Sequence, residues 1–324
     1  DADYDAPSNW VKIENVSGDD TQSIRDAIAY ANANGKTTLY FTKSTYTISD
    51  TIEFTGGIER VIGMECSIDV VGALETSTNP AFRFTNLTSD QIIFERLASV
   101  FPPSNATHTW IENNTDKTLV LKSLKMDVKN TMKTYVSGAQ GTGQVFIEDV
   151  VGARWEFANG QQVWARQFNV ESDTATNVIN NGATLWILGL KTEYGQTNTD
   201  TRNGGKTEIL GGLFYPASHT VPADRPSNII TESQASFTYR ENGSNRYTVE
   251  VRETRGGETI DVTANPNFCT ALYIGYPSAP QYAGSITLSD TVASGTYNLT
   301  NEGEIDWAKW GAYSVSDFDH KASG

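Results

Sequence analysis

Cysteine, histidine and basic residues are scarce in this chain, and each scarcity removes a class of function. There are 2 cysteines, 3 histidines and 24 lysines plus arginines against 39 acidic residues in 324, a formal net charge of −15. Cys66 and Cys269 stand far apart in unlike contexts, so two free thiols are expected rather than a disulfide. No Cys/His spacing suits a metal, and neither metal nor cofactor is implied. His108, His219 and His320 are scattered, none of them in a nucleophilic-triad context. The acidic balance makes nucleic acid and anionic membranes poor partners. No apolar run approaches the length of about 18 residues that a membrane-spanning helix needs. No signal peptide is present, and the start at Asp1 reads as a processed or engineered one. Acidity, few histidines and abundant Thr, Asn and Gly suit a secreted bacterial protein.

What the chain does have is a repeat. QVFIEDVVGA, QVWARQFNVE, TLWILGLKTE and KTEILGGLFYP share one apolar-polar pattern, with Phe146, Trp164, Trp186 and Glu208 spaced by 18, 22 and 22 residues. QIIFERLASV and TLVLKSLKMD join the series upstream at wider spacing. A period near 20 residues with short strands marks a solenoid whose coils stack. Irregular coil length argues against leucine-rich and propeller repeats and fits a parallel β-helix. Equivalent side chains of successive coils then stand about 4.8 Å apart, so distant residues become neighbours in a column.

The opening reads as strand, helix, strand. A short strand begins at Trp10; Asp19, Asp20 and Thr21 offer an N-cap; Ile24, Ala27, Ile28 and Ala31 form an apolar stripe, and Gly35 ends the helix. TTLYFTKSTYTISDTIEF follows with alternating apolar positions. A helix over 21–34 is the expected plug for the open end of such a solenoid.

The segment GDDTQSIRDAIAYANANGKTTLYFTKSTYTISDTIEF resembles the opening of pectate-lyase-superfamily and polygalacturonase-related right-handed β-helix proteins. QVWARQFNVES, GATLWILGLKTEYG and RNGGKTEILGGLFYP are similar to a subgroup described only as glycosyl-hydrolase-related, without an assigned reaction. The resemblance covers roughly Trp10 to Tyr276. It implies an all-β, single-stranded right-handed parallel β-helix (pectin-lyase-like) with an N-terminal capping helix and a C-terminal β-rich extension. Calcium-binding Asp clusters and the paired-Asp signatures of polygalacturonases are missing, so pectin cleavage does not carry over. Residues 1–276 are expected to hold the β-helix and a strand block at 228–276, with a hairpin turning at Gly256-Gly257. The subgroup carries the same block, which implies that it folds back along the solenoid. Residues 277–324 read as a linker and a partial or accessory β segment, as in a fragment of a longer chain.

Register places the chemistry. With Ile147, Ala165, Ile187 and Ile209 inward, Phe146, Trp164 and Trp186 face outward and offer either a sugar platform or a surface that wants cover, as do Leu188 and Leu210. Beyond a corner at Gly189 and Gly211, Glu171 and Glu193 fall in one column with Asp127, beside Lys191. Stacked carboxylates repel, which raises one pKa toward that of a general acid, and glycoside hydrolysis uses such a pair. Glu148, Arg166 and Glu208 form a second candidate set. Trp164, Trp186, Tyr215 and Arg202 are candidate substrate contacts. The alternative is that lysines and arginines neutralise these acids as surface ion pairs of little energetic weight.

Two function classes follow. One is an extracellular enzyme hydrolysing a polysaccharide or cell-surface glycan, or a lyase using Lys191 or Arg166 as base on a uronic-acid substrate. The other is a non-catalytic β-helix that binds glycan or self-associates into filaments at a cell surface.

Overall fold

The computed structural model describes residues 6–129, 131–217, 219–242, 245–264, 270–275, 285–289 and 294–298. It is all-β, with two long sheets of stacked strands. The first, of 12 strands, runs from Trp10–Ile13 through Arg60–Val70, Gln91–Ser99, Thr118–Lys125, Val145–Gly152, Gln162–Val170, Thr184–Glu193 and Lys206–Tyr215 to Gln234–Glu241 and Thr270–Gly275. The second, of 10, runs from Ile52–Gly56 through Pro80–Leu87, Thr109–Asn114, Lys133–Ser137, Trp155–Ala158, Val178–Asn181, Thr199–Arg202 and Pro226–Thr231 to Val249–Arg255 and Glu258–Thr263. Pairing is parallel until the last strand of each sheet, which turns antiparallel. The chain alternates between the sheets, and this is the coil arrangement of the β-helix kind.

All of the repeat segments lie in the first sheet, in the register that the pattern implies: Phe146 opposite Trp164, Trp164 opposite Trp186, Trp186 opposite Glu208. Each long strand bends at one residue in left-handed conformation. Arg96, Ser123, Asp149, Gln167, Gly189 and Gly211 form that corner column, at φ from 49° to 82°. Only the last two are glycines, which take this conformation without a Cβ penalty. The bend turns the second half of each strand, so that Val150, Phe168 and Leu190 point inward beside Ile147, Ala165 and Ile187.

The core changes character along the stack. Near the N-terminal end Phe54, Phe82, Phe84 and Phe94 pack ring to ring at 5.1–5.9 Å. Farther on, buried amides and hydroxyls replace them. Asn180 donates to Lys206 O at 2.9 Å and Thr207 Oγ1 at 2.8 Å, while its Oδ1 accepts Ala183 N at 2.8 Å. Asn177, Asn198 and Ser227 link three successive coils. Such groups are tolerated inside because each finds partners on the next coil.

Helix α1 (Thr21–Ala33) buries Ile24, Ala27, Ile28 and Ala31 against the first strands of both sheets. Its start differs from a simple N-cap. Asp20 makes no capping bond; its buried carboxylate instead accepts Val16 N at 2.6 Å and Thr47 N at 2.8 Å, while Asp19 accepts Thr21 N at 2.9 Å. Cys66 is a buried free thiol whose pKa burial pushes up to about 12. Cys269 and most of 277–324 lie outside the described residues; Ser285–Ser289 and Ser294–Asn298 within that stretch form a two-stranded antiparallel sheet.

The expected hairpin is present, with Arg255 opposite Glu258 and both Gly256 and Gly257 at positive φ. Within the block, Pro226–Thr231 and Gln234–Glu241 add a further coil in parallel register, and Glu258–Thr263 and Thr270–Gly275 turn back antiparallel on Val249–Arg255 and Gln234–Glu241.

The corner column gives a direct test. Gly189→Ala and Gly211→Ala meet no atom closer than 3.9 Å, so the cost is conformational, about 1 kcal/mol each. Gln167→Gly, which relieves the same strain, is neutral or stabilising. Denaturant unfolding that finds the alanine variants as stable as the parent would contradict a strained corner.

Candidate functional site

The aromatic column stands as a stack on the outside of the first sheet. Phe146–Trp164 and Trp164–Trp186 centroids are 4.9 and 5.2 Å apart, both with planes within 11°. This geometry limits what the rings can bind. Sugar C–H groups stack on ring faces, yet both faces of Trp164 are taken by its neighbours. Of the end faces, one meets Val120 and the other Glu208 in register. Solvent meets edges. Leu188, at 61% exposure, and Leu210 continue an exposed apolar strip beside the stack.

The next column alternates in charge: Glu95, Lys122, Glu148, Arg166. Arg166 Nη2 lies 2.8 Å from Glu148 Oε2. That hydrogen bond is the main cause holding the Glu148 carboxyl below its ordinary value, which unsuits it as a proton donor. Glu208 sits one column away, under Trp186; the structure does not gather the second candidate set into one site.

Past the corner, Glu171 and Glu193 occupy adjacent coils as the register implies, and Lys191 Nζ bonds to both. The expected repulsion between them is thereby removed, since one ammonium serves both carboxylates. Burial lowers the Lys191 pKa, but the bonds to Glu171 and Glu193 outweigh it and raise the pKa overall. An ammonium held this way is a poor base. Asp127 lies two coils before Glu171, bonded to Lys125 Nζ and to Ser99 Oγ at 3.1 Å. A notch of ≈ 130 Å³ lies between them over Val151 and Gly152, with Asp173, Tyr194 and exposed Phe101 also lining it. Tyr215 follows Glu193 in the same column. Arg202 belongs to the other sheet, at the end of Thr199–Arg202, and is not near this group.

The second sheet holds a carboxyl that the repeat pattern did not reveal. On its outer face Glu112, Val136, Glu156, Ile179, Asp200 and Ile229 succeed one another in register. Asp200 is flanked by Ile179 and Ile229, and burial raises its pKa against the opposing charge of Arg202, whose Nη1 lies 3.5 Å from Asp200 Oδ2. Glu156, two coils earlier, pairs with Lys133 at 2.7 Å. Two strand spacings separate the acids by about 9–10 Å at the backbone. The signal available in sequence was the apolar residue on either side of Asp200 in VINN and SNIIT, but only with the coil lengths known.

No family model matches the chain, and no curated protein matches it. Among solved structures, ORF18 of Geobacillus virus E2 overlaps with a TM-score of 0.37 at 11% identity, over 83% of this chain and 74% of that one.

A buried acid pair at the C-terminal end supplies a pH test. Glu241 is 3% exposed and its Oε1 has no partner among the described residues. Burial, then the charge of Glu250, raises its pKa from 4.5 to about 8. The folded state thus binds a proton that the unfolded chain releases, so stability is fullest below pH 4.5 on this account and falls as pH rises to about 8. Glu241→Gln flattens that slope; thermal unfolding between pH 5 and 9 that shows no difference from the parent rejects it.

Proposed function

We propose that the protein is a right-handed parallel β-helix, closed at its N-terminal end by α1, that acts outside the cell on a polysaccharide and hydrolyses its glycosidic bonds. The observation that carries this reading is Asp200, an acid desolvated between two isoleucines and two coils from Glu156. Hydrolysis needs one carboxyl that keeps its proton for the leaving oxygen and one that stays charged. Asp200 supplies the first. Glu156, bonded to Lys133, supplies the second, activating water. A lyase is disfavoured, because Lys191 is held charged by two carboxylates and Arg166 does not give up its proton.

A second reading is glycan binding without cleavage, favoured by the notch between Asp127 and Glu171 with Phe101 and Tyr194 beside it. Charged acceptors and accessible aromatic surface suit sugar hydroxyls and C–H faces.

A depolymerisation screen over plant, algal and bacterial polysaccharides, reading new reducing ends and unsaturated products together, decides between them. The expected result is reducing ends alone, reduced roughly 10²–10⁴-fold by Asp200→Asn and restored on aryl glycosides whose leaving group needs no proton. Activity that survives in both Asp200→Asn and Glu156→Gln moves the site elsewhere. No cleavage, with glycan retention lost in Tyr194→Ala, establishes the second reading.

A further inference from the structure

A groove of ≈ 630 Å³ lies between α1 and the start of the second sheet, remote from the notch and sharing no residue with it. Its helix wall is one stripe at i, i+3, i+4 and i+7: Arg25, Ile28, Ala29 and Asn32. Its strand wall is one face of Ile52–Gly56 and the residues before it, Thr51, Glu53 and Thr55, with Asn79 and Arg83 beyond. Both ends are fixed. Arg25 Nη2 donates to Asp50 Oδ2 at 2.7 Å and to Thr51 O at 2.8 Å. Seven residues on, Asn32 donates to Thr55 O at 3.1 Å and accepts Gly57 N at 2.9 Å. The approach there is close: a Cβ on Gly56 would come within 2.3 Å of Asn32 Oδ1. The groove is therefore formed in advance of any ligand.

Its charges are already opposed. Arg25 faces Asp50, and Arg83 faces Glu53 at 2.9 Å and Glu112 at 3.2 Å. The lining is polar yet carries no net charge, and the chain as a whole repels anions at −15. What remains free among the described residues is a set of fixed hydrogen-bonding planes: carboxylates with spare lone pairs, guanidiniums with spare N–H groups, the Asn79 carboxamide and the Thr55 hydroxyl, while Thr51 Oγ1 donates to Pro80 O at 2.7 Å. Ile28 and Ala29 add a small apolar floor. A ligand that both donates and accepts at many points, bears no charge and has apolar C–H patches fits this description. Glu53, Arg83 and Glu112 also stand in the column that continues to Glu156 and Asp200.

We infer that the groove between α1 and the second sheet is a binding site for a neutral oligosaccharide. The inference rests on the groove's own lining and holds whether or not Asp200 is catalytic. Calorimetry with the neutral tetrasaccharides of glucose, mannose, galactose and xylose tests it, with tetragalacturonate as the charged comparator. Binding of at least one neutral sugar is expected, weakened tenfold or more by Ala29→Arg, which fills the groove from an exposed helix position, and weakened by Asn79→Ala. Asp200→Asn leaves this affinity in place, so failure here and failure of the hydrolytic reading are seen separately. Equal affinity in the parent and in folded Ala29→Arg overturns the inference. Preference for tetragalacturonate, or no neutral binding at millimolar sugar, overturns it as well.

Discussion

Parallel register between successive coils is the constraint on which everything else in this molecule rests. Each backbone N–H and C=O of a central strand is satisfied by the coil before and the coil after. Side chains at equivalent positions are then held about 4.8 Å apart whatever their chemistry. Apolar residues gain from this inside, where rings stack on rings. Polar residues inside must bond along the stack, and Asn177, Asn198 and Asn180 do so. Outside, like charges in a column would repel, and the chain answers with alternation, Lys122, Glu148 and Arg166, preceded in the column by the buried Glu95, which pairs with Arg60.

The same constraint decides which acid is placed to donate a proton. Where a basic residue reaches the column, the carboxylate is paired and makes a poor proton donor: Arg166 holds Glu148, Lys125 holds Asp127, Lys133 holds Glu156, and Lys191 holds both Glu171 and Glu193. Asp200 differs because its column neighbours are Ile179 and Ile229, which remove water without supplying charge. Desolvation favours the neutral acid, and Arg202 at 3.5 Å only partly opposes it. The stacked tryptophans show a parallel effect: column spacing that stabilises the rings against one another also hides the faces that a sugar would use.

The first sheet was legible in the sequence, whereas of the second only the hairpin at Gly256-Gly257 was. TLWILGLKTE and its relatives are long, apolar at every second position and similar to each other, so their register could be read off directly. The strands VINN and TDTR of the second sheet are four residues each, and of their inward positions Val178, Asn180, Thr199 and Thr201 only Val178 carries a hydrophobic signal. Arg202, expected as a substrate contact together with Trp164, Trp186 and Tyr215, lies instead on the opposite sheet. Asp200 stands in the same short polar strand, so its register does not show in the sequence.

By itself the sequence determined the stacking of coils, the inward and outward faces of the first sheet, the helix over Thr21–Ala33 and the columns holding Glu171, Glu193 and the tryptophans. These follow from local periodicity, which needs no knowledge of what lies across the core. Only the tertiary structure decided which lysine reaches which carboxylate, that ring faces are consumed by their neighbours, and that Asp200 sits between isoleucines. Those outcomes depend on the lengths of irregular turns and on side-chain direction in three dimensions, where a shift of one residue moves a charge to the other face of the sheet.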